Sequence, residues 1–232
     1  GSIRLYNLYD FVSIQMYLDH KQEFENAFSY REGVLKKNPN RKIEVIYITG
    51  APGAGKTTLA KYICDKRALS YCVSGSSRDP VQDYNGQDCL ILDDLRPKTF
   101  DLSDLLKMLD NNTASSVNSR YHDRWLEVQY IIITTVLSID DFFKMIFDQS
   151  EPIAQFKRRC KTMIQLTKNR MNIYMYHQST QEYMLVGTGD NPVAAMFQEE
   201  DTTESDVVKI KELCEDLGLE YKPEGLPSDY LI

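Results

Sequence analysis

An α/β fold built around a mainly parallel sheet is what this sequence predicts, and three observations carry the prediction. Short runs rich in β-branched residues, at 42–49, 89–92 and 130–134, alternate with helical patterns at 56–66, 102–109 and 139–147. The first of these strands leads directly into a glycine-rich loop, and that loop opens a helix. The chain has 232 residues, 42% of them hydrophobic, enough to bury one large core or a core with a small appendage.

Taken in order, residues 3–37 place Leu5, Leu8, Phe11, Val12, Phe24, Ala27, Phe28 and Val34 at mixed helical spacing. Two or three short helices are expected there, ended by Gly33 and Asn38-Pro39-Asn40. They form either a collar on the chain's own core or a subunit-contact bundle. Lys42–Thr49 is the first strand, Lys56–Lys66 the first helix and Leu69–Val73 a second strand. Gly75–Pro80 reads as a loop, Cys89–Leu92 as a buried strand and Leu102–Leu109 as an amphipathic helix started by Asp101 or Ser103. Ser115–Val128 is polar, aromatic and interrupted, a hairpin or a long loop, with Trp125, Leu126 and Val128 assigned to the core. Tyr130–Thr134 is another buried strand, and Ser138-Ile139-Asp140-Asp141 caps the helix that follows. Met171–Tyr176 and Tyr183–Val186 pair as a hairpin across Ser179-Thr180. Val207, Ile210, Cys214 and Leu217 share one face of a last helix, closed by Gly218.

The loop after the first strand is Gly50-Ala51-Pro52-Gly53-Ala54-Gly55-Lys56-Thr57, followed by Thr58. It meets the spacing G-x4-G-K-[ST] in full. Small residues let successive backbone N–H groups turn inward around a phosphate. Lys56 supplies a point charge for the β- and γ-phosphates, and the Thr57 hydroxyl is placed to reach Mg²⁺. The helix N-terminus adds partial positive charge. Leu90-Ile91-Leu92-Asp93-Asp94 is an apolar strand ending in two carboxylates, with Asp93 37 residues after Lys56. In a parallel sheet that end shares an edge with the loop. Asp93 is expected to hold Mg²⁺, and Asp94 to polarise the attacking water. Together these residues describe a Mg²⁺-dependent nucleoside triphosphatase.

Composition excludes several other classes. No apolar run is long enough for a transmembrane helix, and no signal peptide is visible, so no membrane association is expected. Cys64, Cys72, Cys89, Cys160 and Cys214 are scattered and odd in number, which fits a reducing cytoplasm rather than a disulfide or zinc scaffold. The net charge is −7, but residues 199–232 alone carry 11 acidic and 3 basic side chains. The rest is close to neutral, so contact with nucleic acid would rest on a few local cations.

Four further stretches narrow the reading. They are Asp79–Gln87 leading into Leu92-Asp93-Asp94-Leu95-Arg96, then Val117-Asn118-Ser119-Arg120-Tyr121-His122, then Ile132-Ile133-Thr134-Thr135, and last Phe156-Lys157-Arg158-Arg159-Cys160. In this order the chain resembles, over roughly residues 42–166, the superfamily 3 helicase domain of rolling-circle replication initiator (Rep) proteins of small circular single-stranded DNA viruses and related bacterial plasmids. The resemblance implies an AAA+-like ATPase that assembles as a homo-oligomeric, hexameric ring and moves 3′-to-5′ on single-stranded DNA. It makes residues 50–57 the Walker A motif and Asp93-Asp94 the Walker B pair. Asn118, Arg120, Tyr121, His122 and Arg124 become the DNA-contacting stretch. Thr135 takes the polar sensor role that the family usually gives to an Asn, since Val136 stands at the aligned position. Arg158 and Arg159 match the paired arginines that reach a neighbouring subunit's ATP. The division expected is an N-terminal helical oligomerisation segment (1–40), the ATPase domain (41–168), a β-hairpin region (169–198) and an acidic tail with a short helix (199–232). The tail is expected to offer a docking site for a host replication protein. The family's nicking module needs a His-hydrophobe-His pair, and His20, His122 and His177 are too far apart to form one. The chain is therefore expected to be the motor part of a longer protein, consistent with Gly1-Ser2 as a cloning remnant, working in a bacterial cytoplasm or a host nucleus.

Two other classes share the phosphate loop. A small-molecule kinase would need an acceptor pocket and an Arg-rich lid. A loader-type AAA+ module would use ATP only to set its assembly state.

Overall fold

The computed structural model describes residues 3–37, 42–74, 79–111, 116–117, 124–146, 151–198 and 203–220. After a 3-10 turn at Leu5–Asp10, the chain forms α1 (Ile14–Asp19) and α2 (Lys21–Lys37), then β1 (Glu44–Gly50), α3 (Lys56–Lys66), β2 (Tyr71–Val73) and β3 (Cys89–Leu92). It continues with α4 (Leu102–Met108), β4 (Ser116–Val117), β5 (Arg124–Trp125), β6 (Tyr130–Thr135), α5 (Ile139–Lys144) and α6 (Ile153–Lys157). Then come β7 (Thr162–Leu166), β8 (Arg170–His177), β9 (Glu182–Asp190), α7 (Ala195–Gln198) and α8 (Thr203–Asp216). Residues 1–191 form one compact unit and residues 192–232 a second.

The first unit is an α/β structure on a seven-stranded sheet of order β2-β3-β6-β1-β7-β8-β9. β2, β3, β6, β1 and β7 run parallel, and β8 and β9 add antiparallel pairs at one side. The three central strands are buried on both faces over Val45–Thr49, Cys89–Leu92 and Ile131–Thr135. Their nearly continuous apolar runs are what a two-sided parallel sheet demands. One face is closed by an aromatic cluster. Tyr47 meets Phe142 and Phe156 edge-on at 6.1 and 6.2 Å, and those two rings stack at 5.7 Å. The Tyr47 hydroxyl stays satisfied in that core by donating to the Leu137 carbonyl at 3.0 Å.

The sequence pattern shows β8 and β9 as a hairpin but not what they attach to. β7, Thr-Met-Ile-Gln-Leu, joins them to the main sheet, pairing parallel with β1 and antiparallel with β8. It alternates buried and exposed positions only in its second half, so no strong period marks it. In the polar stretch 115–128, β4 and β5 pair antiparallel, Ser116 with Trp125 and Val117 with Arg124. Leu126 and Val128 are buried as the sequence suggests; the Trp125 side chain lies outside the described residues.

α2 and the residue that caps the 3-10 turn are tied to the rest of the unit through Glu127. Its carboxylate pairs with Arg31 at 2.5 Å and Arg4 at 3.2 Å, and the Tyr6 amide donates to the Asn85 carbonyl at 3.1 Å. In the second unit α8 ends at a left-handed Gly218, with the Gly218 and Leu219 amides donating to the Glu215 and Cys214 carbonyls.

Candidate active site

The parallel strands end on one edge of the sheet, and the site is built there. β1 ends at Gly50, packed so closely against β7 that a Cβ at Gly50 would collide with the Leu166 carbonyl. Beyond it, Ala51, Pro52 and Gly53 are exposed, whereas Ala54 is buried. Gly53 and Gly55 have φ of 73° and 87°, a region that L side chains rarely adopt, which explains two of the loop's glycines. Space beside Gly53, just ahead of the N-terminus of α3, is open within 4 Å. Gly55 is the N-cap of that helix, and Lys56, Thr57 and Thr58 form its first turn, all half-buried.

The Lys56 ammonium donates to the Gly50 and Ala51 carbonyls at 2.9 Å each, so it lies folded over the loop. Partial burial lowers its pKa from the ordinary lysine value, with Asp94 and Asp93 acting in the opposite direction.

Asp93 and Asp94 follow the last residue of β3. The Thr57 hydroxyl donates to Asp93 Oδ1 at 2.5 Å, which joins the loop helix to the acid strand across the sheet edge. β6 lies between β1 and β3 and brings a second hydroxyl, since Thr134 donates to the same oxygen at 2.7 Å. Thr134 Oγ1 also accepts the Asp94 amide at 2.9 Å, and its carbonyl accepts the Leu95 amide at 2.8 Å. These bonds hold the turn that sets Asp94 at φ 45°, a left-handed conformation that Asp tolerates better than most residues. The Asp94 carboxylate is half-exposed and pairs with Arg96.

Sequence reasoning did not single out Thr134. Its neighbour Thr135, expected in a polar sensor role, is fully buried, and its hydroxyl accepts a long 3.4 Å bond from the Leu137 amide. Adjacent residues on a strand point to opposite faces, so only one of the two hydroxyls faces the carboxylates. Nothing in the order Thr134-Thr135 distinguishes them before the register of β6 against β3 is known.

Arg158 and Arg159 follow α6 at the opposite edge. Ile46 is level with Thr162 and Gly50 with Leu166, so the start of β7, just after the pair, lies roughly 13 Å back along the strand from the level of the loop at about 3.3 Å per residue. The two arginines differ. Arg158 is exposed. Arg159 is 14% exposed, donates to the Gln155 carbonyl at 2.8 Å, and faces Asp110 at 3.6 Å. Burial lowers the Arg159 pKa from its ordinary value, and Asp110 opposes that shift. Tyr183 steadies the segment by donating to the Cys160 carbonyl at 2.6 Å.

Asn118, Arg120, Tyr121 and His122 lie outside the described residues, and Arg124 is described for its backbone alone, in β5. Among the described residues no cluster of three or more His, Cys, Asp or Glu is poised to hold a metal, and no helix is long and apolar enough to cross a membrane.

The glycine-rich loop, the two hydroxyls and the acid pair thus meet at one edge of the sheet, and comparison with known proteins bears on what they serve. Residues 46–137 match the RNA helicase family model. The matched segment runs from β1 through the glycine-rich loop and the acid pair to just past β6. Over 198 residues the chain is also 46% identical to the replication protein of Onion yellows phytoplasma (strain OY-M), an alignment that covers 85% of this chain. The chain spans about half that relative's length, 52%.

Proposed function

We propose that this chain is the ATP-driven DNA helicase motor of a replication initiator, assembling as a ring and moving 3′-to-5′ on single-stranded DNA during rolling-circle replication. The observation that carries this reading is the junction of Thr57, Asp93 and Thr134 at the mouth of the phosphate loop. The helicase-like match of residues 46–137 and the similarity to a replication protein support it.

ATP phosphates enter the cradle over Gly50–Thr58, where backbone N–H groups and Lys56 take their charge. The oxygens of Thr57 and Asp93 suit a hard cation that keeps some of its ligands from water and phosphate, so Mg²⁺ fits this donor set. When bound, Mg²⁺ neutralises charge on the phosphates. Asp94, held in its turn by the Thr134 hydroxyl, orients the attacking water and accepts its proton through the exposed carboxylate. The γ-phosphate needs a cation on its far side, and the copy's own Arg158 precedes the start of β7, at the end of that strand away from the loop. Arg158 of a neighbouring copy supplies it, while Arg159 anchors the segment through Gln155 and Asp110. Thr135 contributes from behind, packing the end of β6. The exposed apolar residues of the first helices, including Phe11 at 58% and Ile14 at 68%, suit burial between copies. Asn118, Arg120, Tyr121, His122 and Arg124 line the path of the strand. The acidic tail is left to a host replication protein.

The test is hydrolysis of ATP by purified chain with single-stranded DNA, single-stranded RNA or neither, alongside strand displacement on forked duplexes. DNA-stimulated hydrolysis with displacement from a 3′ tail is expected. Equal rates in all three conditions, with transfer of the γ-phosphate to a small acceptor, would instead favour a kinase. Hydrolysis without displacement would favour a loader.

A further inference from the structure

We propose that Asn191 is a positioning residue for the phosphate loop. The inference rests on the nucleotide-binding reading of that loop and adds a residue from 137 positions away in the chain. Asn191 follows the last residue of β9 and is 5% exposed. Its side-chain amide donates to the Ala54 carbonyl at 3.1 Å and to the Thr167 and Lys168 carbonyls at 3.0 Å each. Its backbone amide donates to the Asn169 carbonyl at 2.9 Å. One amide group thus clamps the middle of the loop to the turn between β7 and β8.

The consequence follows from peptide geometry. In a trans peptide the carbonyl and the next N–H point in opposite directions. Ala54 is 2% exposed, and its carbonyl is drawn backward, away from the open side of the loop, onto Asn191. The Gly55 N–H is therefore turned forward, into the cradle, at the residue whose φ of 87° already needs glycine. A free peptide would rotate, and the loop would spend part of its time with a carbonyl facing the phosphates. Asn191 removes that freedom before ligand arrives, which raises affinity by preorganisation.

A buried asparagine that only supports the fold would change stability and nothing else, so the test separates the two roles. Asn191→Ser and Asn191→Asp are compared with the unaltered chain by titration with a slowly hydrolysed ATP analogue. Hydrogen exchange of the nucleotide-free proteins is followed as well. The expected result is binding weakened about tenfold, a KM for ATP that rises more than kcat falls, and faster exchange at amides 51–57 with unchanged exchange in β3 and β6. Affinity within twofold of the parent in a folded variant, or unchanged loop exchange, would overturn the proposal. So would failure of both variants to fold, which would assign Asn191 to the fold alone. Lys56→Ala serves as the control for the underlying reading. If it binds the analogue normally, the loop is not the nucleotide site. If it loses binding while Asn191→Ser does not, only the role of Asn191 is wrong.

Discussion

In the proposed chemistry, Thr134 and Lys56 each act through one polar side-chain atom. The Thr134 hydroxyl bridges the Asp94 amide and the Asp93 carboxylate, so Thr134→Val leaves a part-buried N–H without that partner and halves the bracing of Asp93. That change should cost about 1–3 kcal/mol of stability. It should slow ATP hydrolysis at least tenfold while nucleotide affinity changes little, as measured by steady-state kinetics and thermal melting. Thr135→Val, at a hydroxyl with one long bond, should cost less than half as much. Lys56 gives a pH prediction. Its pKa lies below the ordinary lysine value because burial disfavours the charged form, whereas bound phosphate favours that form. Affinity for ATP should therefore be full at lower pH and fall as pH rises through the lowered pKa, with a limiting slope of about tenfold per pH unit. Titrations from neutral pH up towards the ordinary lysine range would show it, and Lys56→Arg should abolish the decline, since guanidinium stays charged.

At the scale of elements, the strands and the loop helix follow from local pattern, whereas α6 and β7 depend on their neighbours. α6 has only five residues and is held from outside: Phe156 stacks on Phe142, and Tyr183 of β9 donates to the Cys160 carbonyl just past its end. This packing also governs thiol chemistry. Cys64, Cys72, Cys89 and Cys160 are buried in the sheet unit, and burial pushes the Cys160 thiol far above its usual range. Cys214 on α8 is half-buried. Brief alkylation at neutral pH should therefore label Cys214 first and leave the other four until the protein unfolds, as read by intact mass before and after denaturant. Rapid labelling of Cys160 in the native protein would show that α6 does not pack as described.

For the whole molecule, the position of Arg158 at the sheet edge opposite its own loop makes assembly a requirement of the proposed chemistry. Arg158→Ala alone should reduce hydrolysis about 10³-fold without lowering the melting temperature. Arg159→Ala should lower the melting temperature, because it removes the bond to Gln155 and leaves Asp110 without that cation. Mixing Lys56→Ala copies with Arg158→Ala copies should restore part of the activity, since each can complete the other's site; no recovery at any mixing ratio would contradict action in trans. The alternation of strand and helix, the glycine-rich loop between β1 and α3, and the two carboxylates at the end of β3 could be read directly from the chain, because each depends on residue type and short-range spacing. What tertiary structure alone decided were the contacts between distant segments: the insertion of β6 between β1 and β3, which selects Thr134 over Thr135; the joining of the β8–β9 hairpin to the sheet through β7; the clamp of Asn191 on Ala54; and the difference between exposed Arg158 and anchored Arg159. Hydrophobic period and turn chemistry act over a few residues, while register and burial arise only when the whole sheet closes around its core.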